Sequence, residues 1–250
     1  MSLFTILPAV DIMYGQAVQL VRGVPGSEKI FGDPFEAARR WRQAGAEWIH
    51  LVDLDAAFGR TPNSAVAARI VAELGLKVEL TGGVRDAAQL EAALATGCAR
   101  VNLGTAVLEN PEWAAAAVAG DPERVAIALD VKEGQLAARG WTTRAGQIDQ
   151  LVEPLTAAGC RRFVVTDVDS DGVLQGPNLA LLRHVAALTD AKVTASGGIA
   201  SLDDLRALRG LSDLGVDSAI IGTALYLGAF SLPQALAAVA EPGADRDQND

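Results

Sequence analysis

Short, continuous runs of apolar and β-branched residues alternate along the chain with longer stretches in which Ala and Leu recur at helical spacing. The apolar runs predict strands at 5–11, 48–53, 77–81, 100–103, 125–130, 162–167, 192–195 and 218–221. Their lack of in–out alternation suits strands covered on both faces, as a parallel sheet requires. Between them the periodic stretches predict helices at 34–44, 65–74, 87–96, 111–119, 148–158, 179–188, 202–209 and 232–239. Several open on start signals, such as Asp33-Pro34, Asn110-Pro111 and Ser201-Leu202-Asp203-Asp204, and several close on Gly45, Gly75, Gly97 or Gly159. Eight such units of about 30 residues each predict an α/β fold closed as a single (β/α)8 TIM barrel. A doubly wound nucleotide-binding sheet would place GxGxxG after its first strand, and Asp11-Ile12-Met13-Tyr14-Gly15 is not that motif. The barrel is expected over 1–240, with 241–250 a polar, frayed tail.

Composition narrows the partners. The 250 residues are 50% hydrophobic and carry a net charge of −10, so nucleic acid and anionic membrane surfaces are disfavoured. Backbone N–H groups can still bind small phosphorylated molecules locally. Cys98 and Cys160 are isolated and His50 and His184 are the two histidines, which predicts neither a disulfide framework nor a metal centre. The first residues lack a basic leader and no apolar run approaches a membrane span, so a soluble cytoplasmic chain is expected.

Inside this pattern the two halves repeat. Thr81-Gly82-Gly83 matches Ser196-Gly197-Gly198, Gly104-Thr105 matches Gly222-Thr223, Asp11 matches Asp130 and Asp53 matches Asp167, at offsets of about 114 to 119 residues. A twofold internal repeat follows. Each glycine-containing stretch leaves a strand and enters a helix, where bare backbone amides can cradle an anion. Gly82, Gly83, Gly104 and Thr105 form one candidate phosphate site, and Gly197, Gly198, Gly222 and Thr223 the other. Tight βα turns are the plainer explanation for any one pair. Asp11 and Asp130, at carboxyl ends of strands, are candidates for acid and base work. The acid-rich Asp167-Val168-Asp169-Ser170-Asp171 lacks the calcium-loop pattern and reads as a catalytic acid with structural neighbours. Asp53, Asp55 and Asp86 read as caps or loop clamps. Arg139 and Trp141 could embrace a planar anionic group, or the tryptophan could pack over the rim. Trp48 and Trp113 read as packing residues and His184 as a surface one, while His50 could meet either ligand or core.

Together these residues resemble the phosphoribosyl isomerases of histidine biosynthesis over nearly the whole chain. The resemblance rests on Pro8-Ala9-Val10-Asp11, His50-Leu51-Val52-Asp53-Leu54-Asp55, Gly82-Gly83-Val84-Arg85, Ala195-Ser196-Gly197-Gly198-Ile199 and Asp169-Ser170-Asp171-Gly172. Val52 through Gly59 and Arg139-Gly140-Trp141 look most like the branch that also isomerises phosphoribosylanthranilate in tryptophan biosynthesis. The resemblance implies a cofactor-independent Amadori rearrangement of an aminoaldose to an aminoketose. By position, Asp171 would protonate the ribose ring oxygen and Asp11 would remove the C2 proton. Asp130 and Thr166 would support the reacting centre, and Arg139 and Trp141 would adapt to either substrate. Gln19, His50 and Thr81 are further substrate-side positions. Two of them depart from the family: Gln19 replaces an arginine and Thr81 a serine. The lost cation leaves open a specialisation toward phosphoribosylanthranilate, with Arg22 a partial substitute. Rival readings are a cyclase subunit with the same duplicated barrel, which typically begins Pro-Cys-Leu-Asp, and a non-catalytic phosphosugar sensor. The expected partners are small phosphoribosyl molecules, and the expected state is a monomer.

Overall fold

The computed structural model describes residues 4–20, 26–138, 143–144 and 146–240. Arg22, Arg139, Trp141 and the 241–250 tail lie outside the described residues.

Eight parallel strands close into a barrel: β1 Thr5–Met13, β2 Trp48–Asp53, β3 Lys77–Thr81, β4 Arg100–Leu103, β5 Val125–Lys132, β6 Arg162–Asp167, β7 Lys192–Ser196 and β8 Val216–Ile221. Each pairs with its successor, and β8 closes on β1 through Thr5 opposite Ser218 and Leu7 opposite Ile220. Around it run Pro34–Gln43, Ser64–Leu74, Ala87–Ala95, Pro111–Gly120, Asp149–Ala157, Leu179–Ala187, Leu202–Arg209 and Leu232–Ala240. The expected TIM barrel is therefore the observed architecture. Start signals act as read: Asp33 accepts from Glu36 N, Asn110 from Trp113 N, and Ser201 with Asp204 forms a reciprocal capping box.

Register explains why the strands looked continuously apolar. Residues such as Val10, Ile49, Leu51, Val78, Val101, Ile127 and Val193 are fully buried against the helices. The alternate positions face the lumen, where Leu7, Val164 and Ile220 pack with Ala9, Trp48 and Ala128. That places Trp48 in the barrel interior and Trp113 against the outer core, both as packing residues.

Elements too short for a periodic signal add detail at the rim. Leu54–Ala57, Thr105–Glu109 and Thr223–Tyr226 are short helices directly after β2, β4 and β8. Gln16–Gln19 and Lys29–Gly32 pair as antiparallel extensions of β1, and Gln135–Ala138 folds back on β5.

Candidate active site

A cavity of about 650 Å³ opens where the strands end. This is the end of the barrel at which loops can vary without disturbing the packed interior. Asp11 from β1, Asp130 from β5, Thr166 from β6 and Asp171 beyond β6 all face it, as do His50 from β2 and Thr81 from β3. Gln19 reaches it from the β1 hairpin, and its side-chain amide donates to the Thr223 hydroxyl.

The two aspartates most suited to proton transfer line the cavity and are each partly accessible. Burial pushes the Asp11 carboxyl up to about 6, against the pull of His50. Burial also raises Asp171, and the charges of Asp11, Asp130 and Asp167 add to it, so that it reaches about 7 despite the Gly172 backbone N–H. Carboxyls sharing one concave site cannot all ionise near neutrality, which separates their protonation states.

The glycine motifs work by close backbone approach. Gly82 has φ +110, and a Cβ there would lie 2.3 Å from the Asp53 carbonyl oxygen. In the other half Gly197 has φ +92, and its Cβ would lie 2.7 Å from the Asp167 carbonyl oxygen. No side chain fits either contact, so glycine is what lets the strand ends draw together this closely. Gly82, Gly104, Thr105, Gly197, Gly198, Gly222 and Thr223 line it. Gly83 has φ +74 and packs on Ala56, whose carbonyl oxygen would lie 2.6 Å from a Cβ there. Gly198 packs likewise on Gly176, whose carbonyl oxygen would lie 2.2 Å from a Cβ at that position.

The expected caps are caps. Asp53 accepts from Ala56 N at 3.0 Å and Asn63 N at 2.5 Å, and Asp86 from Gln89 N at 2.8 Å. Asp55 holds Tyr14 N at 2.8 Å, Arg60 Nε at 2.8 Å and Asn63 Nδ2 at 3.0 Å. Although burial works to raise it, those Asn63, Arg60 and Tyr14 bonds hold its carboxyl below the usual range. His184 is half exposed and pairs with Asp149 at 2.8 Å.

The histidine biosynthesis protein family matches residues 5–231. The chain belongs to this family. A relative from Saccharopolyspora erythraea is 60% identical over 240 residues, covering 94% of this chain and 99% of its own. One from Thermobifida fusca is 61% identical over 236 residues, covering 94% and 96%. Both are named 1-(5-phosphoribosyl)-5-((5-phosphoribosylamino)methylideneamino)imidazole-4-carboxamide isomerase. A third, from Mycobacteroides abscessus, is named phosphoribosyl isomerase A and is 58% identical over 238 residues, covering 94% and 98%. This member of the family is an enzyme of the isomerase class, which removes the sensor and cyclase readings.

Within the family frame, the structure adds side chains to the site that were not among the sequence candidates. Tyr226 lines the cavity and its hydroxyl donates to Ala9 O at 3.1 Å, tying the last short helix to the strand that carries Asp11. Arg85 reaches the rim with its guanidinium on Ala57 O at 2.7 Å. Ser196 lines the wall beside Gly197. Polarity in a strand otherwise buried on both faces was the available signal for Ser196, and cavity-side placement after β3 was the signal for Arg85.

Proposed function

We propose that this enzyme converts the bis-phosphorylated aminoaldose of histidine biosynthesis, an imidazole-carboxamide ribonucleotide bearing a second phosphoribosyl group, to its aminoketose by an Amadori rearrangement. The observation that carries the reading is the pair of raised carboxyls, Asp11 and Asp171, in one cavity flanked by two glycine cradles. With its phosphates in the cradles of the two halves, the substrate's reacting ribose lies across the middle of the mouth. Asp171, protonated to about pH 7, gives its proton to the ring oxygen, and the C1–O bond opens to a Schiff base. Asp11, ionised above about pH 6, then takes the C2 proton, giving an enolamine that tautomerises to the ketone. Asp130 and Thr166 support the reacting centre through charge and hydrogen bonding. Every step redistributes protons and electrons already present in substrate and side chains.

We also propose N-(5-phosphoribosyl)anthranilate as a second substrate. Its single phosphate would fill the cradle of the second half, and its carboxylate would turn toward Arg85 at the opposite rim. Gln19, engaged with Thr223, offers that cradle a neutral amide where an arginine would offer charge. Steady-state kinetics on both substrates, with complementation of histidine and tryptophan auxotrophs, tests the pair of activities. Turnover of the histidine-route substrate is expected in the wild type. Rescue of the tryptophan auxotroph alone would instead establish a specialised anthranilate isomerase.

A further inference from the structure

One row of residues across the barrel lumen joins a histidine of the cavity to a buried ion pair. His50 on β2 stands opposite Glu79 on β3, and Glu79 opposite Arg100 on β4. Glu79 is completely buried, and its two oxygens are divided between the neighbours. His50 Nδ1 lies 2.9 Å from Oε1, while Arg100 Nε lies 2.8 Å and its NH2 2.7 Å from Oε2. Arg100 is fixed from its other side by the Trp48 ring, 4.5 Å from the guanidinium carbon. The equivalent row in the other half, Val164, Thr194 and Ser218, is tied to an ion pair of its own. There Arg162 lies 2.6 Å from Asp217 and donates to the Thr194 and Ser218 hydroxyls at 2.9 Å, with no histidine in the set. A buried ion pair is weak support for stability, because desolvation offsets much of the attraction. What distinguishes the Glu79 pair is the ring that it holds: the other half's pair binds hydroxyls, whereas Glu79 binds a histidine of the cavity. His50 lines the cavity and stands one step below Asp11 in the register, with Ala9 opposite His50 and Val52 opposite Asp11.

We propose that Glu79, anchored by Arg100, is a positioning residue of the active site: its carboxylate accepts a hydrogen bond from the Nδ1–H of His50 and turns Nε2 toward Asp11 and the substrate. Which imidazole nitrogen carries the proton is set by the hydrogen bond at the other. Arg100 matters because it occupies the second carboxylate oxygen and keeps the group from rotating away. The groups facing His50 are Asp11 on β1, Glu79 on β3 and, across the mouth, Asp130 and Asp171; Tyr226 closes the wall beside Asp11. The kinetic part of this inference rests on the isomerase reading above, whereas the tautomer does not.

The chain has two histidines, so ring-nitrogen NMR of the full-length, 15N-histidine-labelled enzyme resolves both, with exposed His184 as the internal reference. His50 is expected to carry its proton on Nδ1 near neutral pH. In Glu79→Gln the amide oxygen stays with Arg100 and its NH2 faces Nδ1, so the proton is expected to move to Nε2. On the aminoaldose substrate kcat should then fall roughly 10–100-fold, as for other outer partners of functional histidines, with KM changed less than about threefold. Glu79→Leu/Arg100→Met removes the whole pair without leaving a lone buried charge and should show the same fall in kcat. A bare Nδ1 in the wild type, or an unchanged His50 signal in Glu79→Gln, overturns the proposal. So does a double variant with wild-type kcat and only altered melting. Absence of turnover in the wild type would sink the isomerase reading and leave the NMR result standing by itself.

Discussion

The two halves of this barrel share a backbone and divide the chemistry. Gly82 presses on the Asp53 carbonyl as Gly197 presses on that of Asp167. Asp55 accepts from Tyr14 N at 2.8 Å as Asp169 accepts from Glu133 N at 2.7 Å, and both Tyr14 and Glu133 adopt positive φ. Asp11 and Asp130 occupy matching ends of β1 and β5, opposite Val52 and Thr166. The lumen then departs from symmetry. The first half has His50, Glu79 and Arg100 where the second has Val164, Thr194 and Ser218. The segment after β6 carries Asp171 where the short helix after β2 ends on Ala57. Duplicated backbone supplies the matched glycine turns, and diverged side chains supply the two unequal carboxyls to which we assign acid and base duty.

The sharpest way to break this comparison is to remove one of the unequal carboxyls. Asp11→Asn and Asp171→Asn should each lower kcat on the aminoaldose roughly 10²–10⁴-fold, measured by steady-state kinetics on folded protein. Neither substitution touches a cradle, so substrate affinity by titration should change far less.

The shared part answers to a different substitution. Gly82→Ala and Gly197→Ala force a Cβ onto a carbonyl oxygen at positive φ, and both should cost about 2 kcal/mol or more in urea denaturation. Equal losses would mark the cradles as structural equivalents, and a neutral result in either would mean that its turn is not held as described.

The same carboxyls also predict a stability effect of opposite sign to the activity effect. Folded Asp11 and Asp171 titrate near 6 and 7 against 3.8 unfolded, so the folded state holds more protons within that interval. Stability therefore falls as pH rises through it. At pH 8 Asp11→Asn should be more stable than wild type by on the order of 1–3 kcal/mol, with the gain vanishing near pH 4. Thermal melts at both pH values check it. His184→Ala, which breaks a half-exposed pair with Asp149, should move stability by less than about 0.5 kcal/mol.

The strands could be read from sequence because burial on both faces leaves a continuous apolar signature, and four of them match to the residue: Trp48–Asp53, Lys77–Thr81, Arg100–Leu103 and Arg162–Asp167. Helices of four or five residues, such as Leu54–Ala57 and Thr105–Glu109, complete too little of a 3.6-residue period to be seen. Asp11, Asp130 and Asp171 were legible through strand-end position, repeat and resemblance. Glu79 was not. A single acid in Lys77-Val78-Glu79-Leu80 carries no sign of its partners, and only closure of the barrel sets it in a dry interior between His50 and Arg100. Tyr226 was missed for a related reason: its link to Ala9 spans nearly the whole chain.

The pH dependence of kcat/KM on the aminoaldose tests the central claim most directly. Two carboxyls of opposed duty in one cavity predict a bell with an acidic limb near pH 6 from Asp11 and an alkaline limb near pH 7 from Asp171, the latter lost in Asp171→Asn. A profile flat from pH 5 to 8, or an alkaline limb that survives Asp171→Asn, would contradict the account.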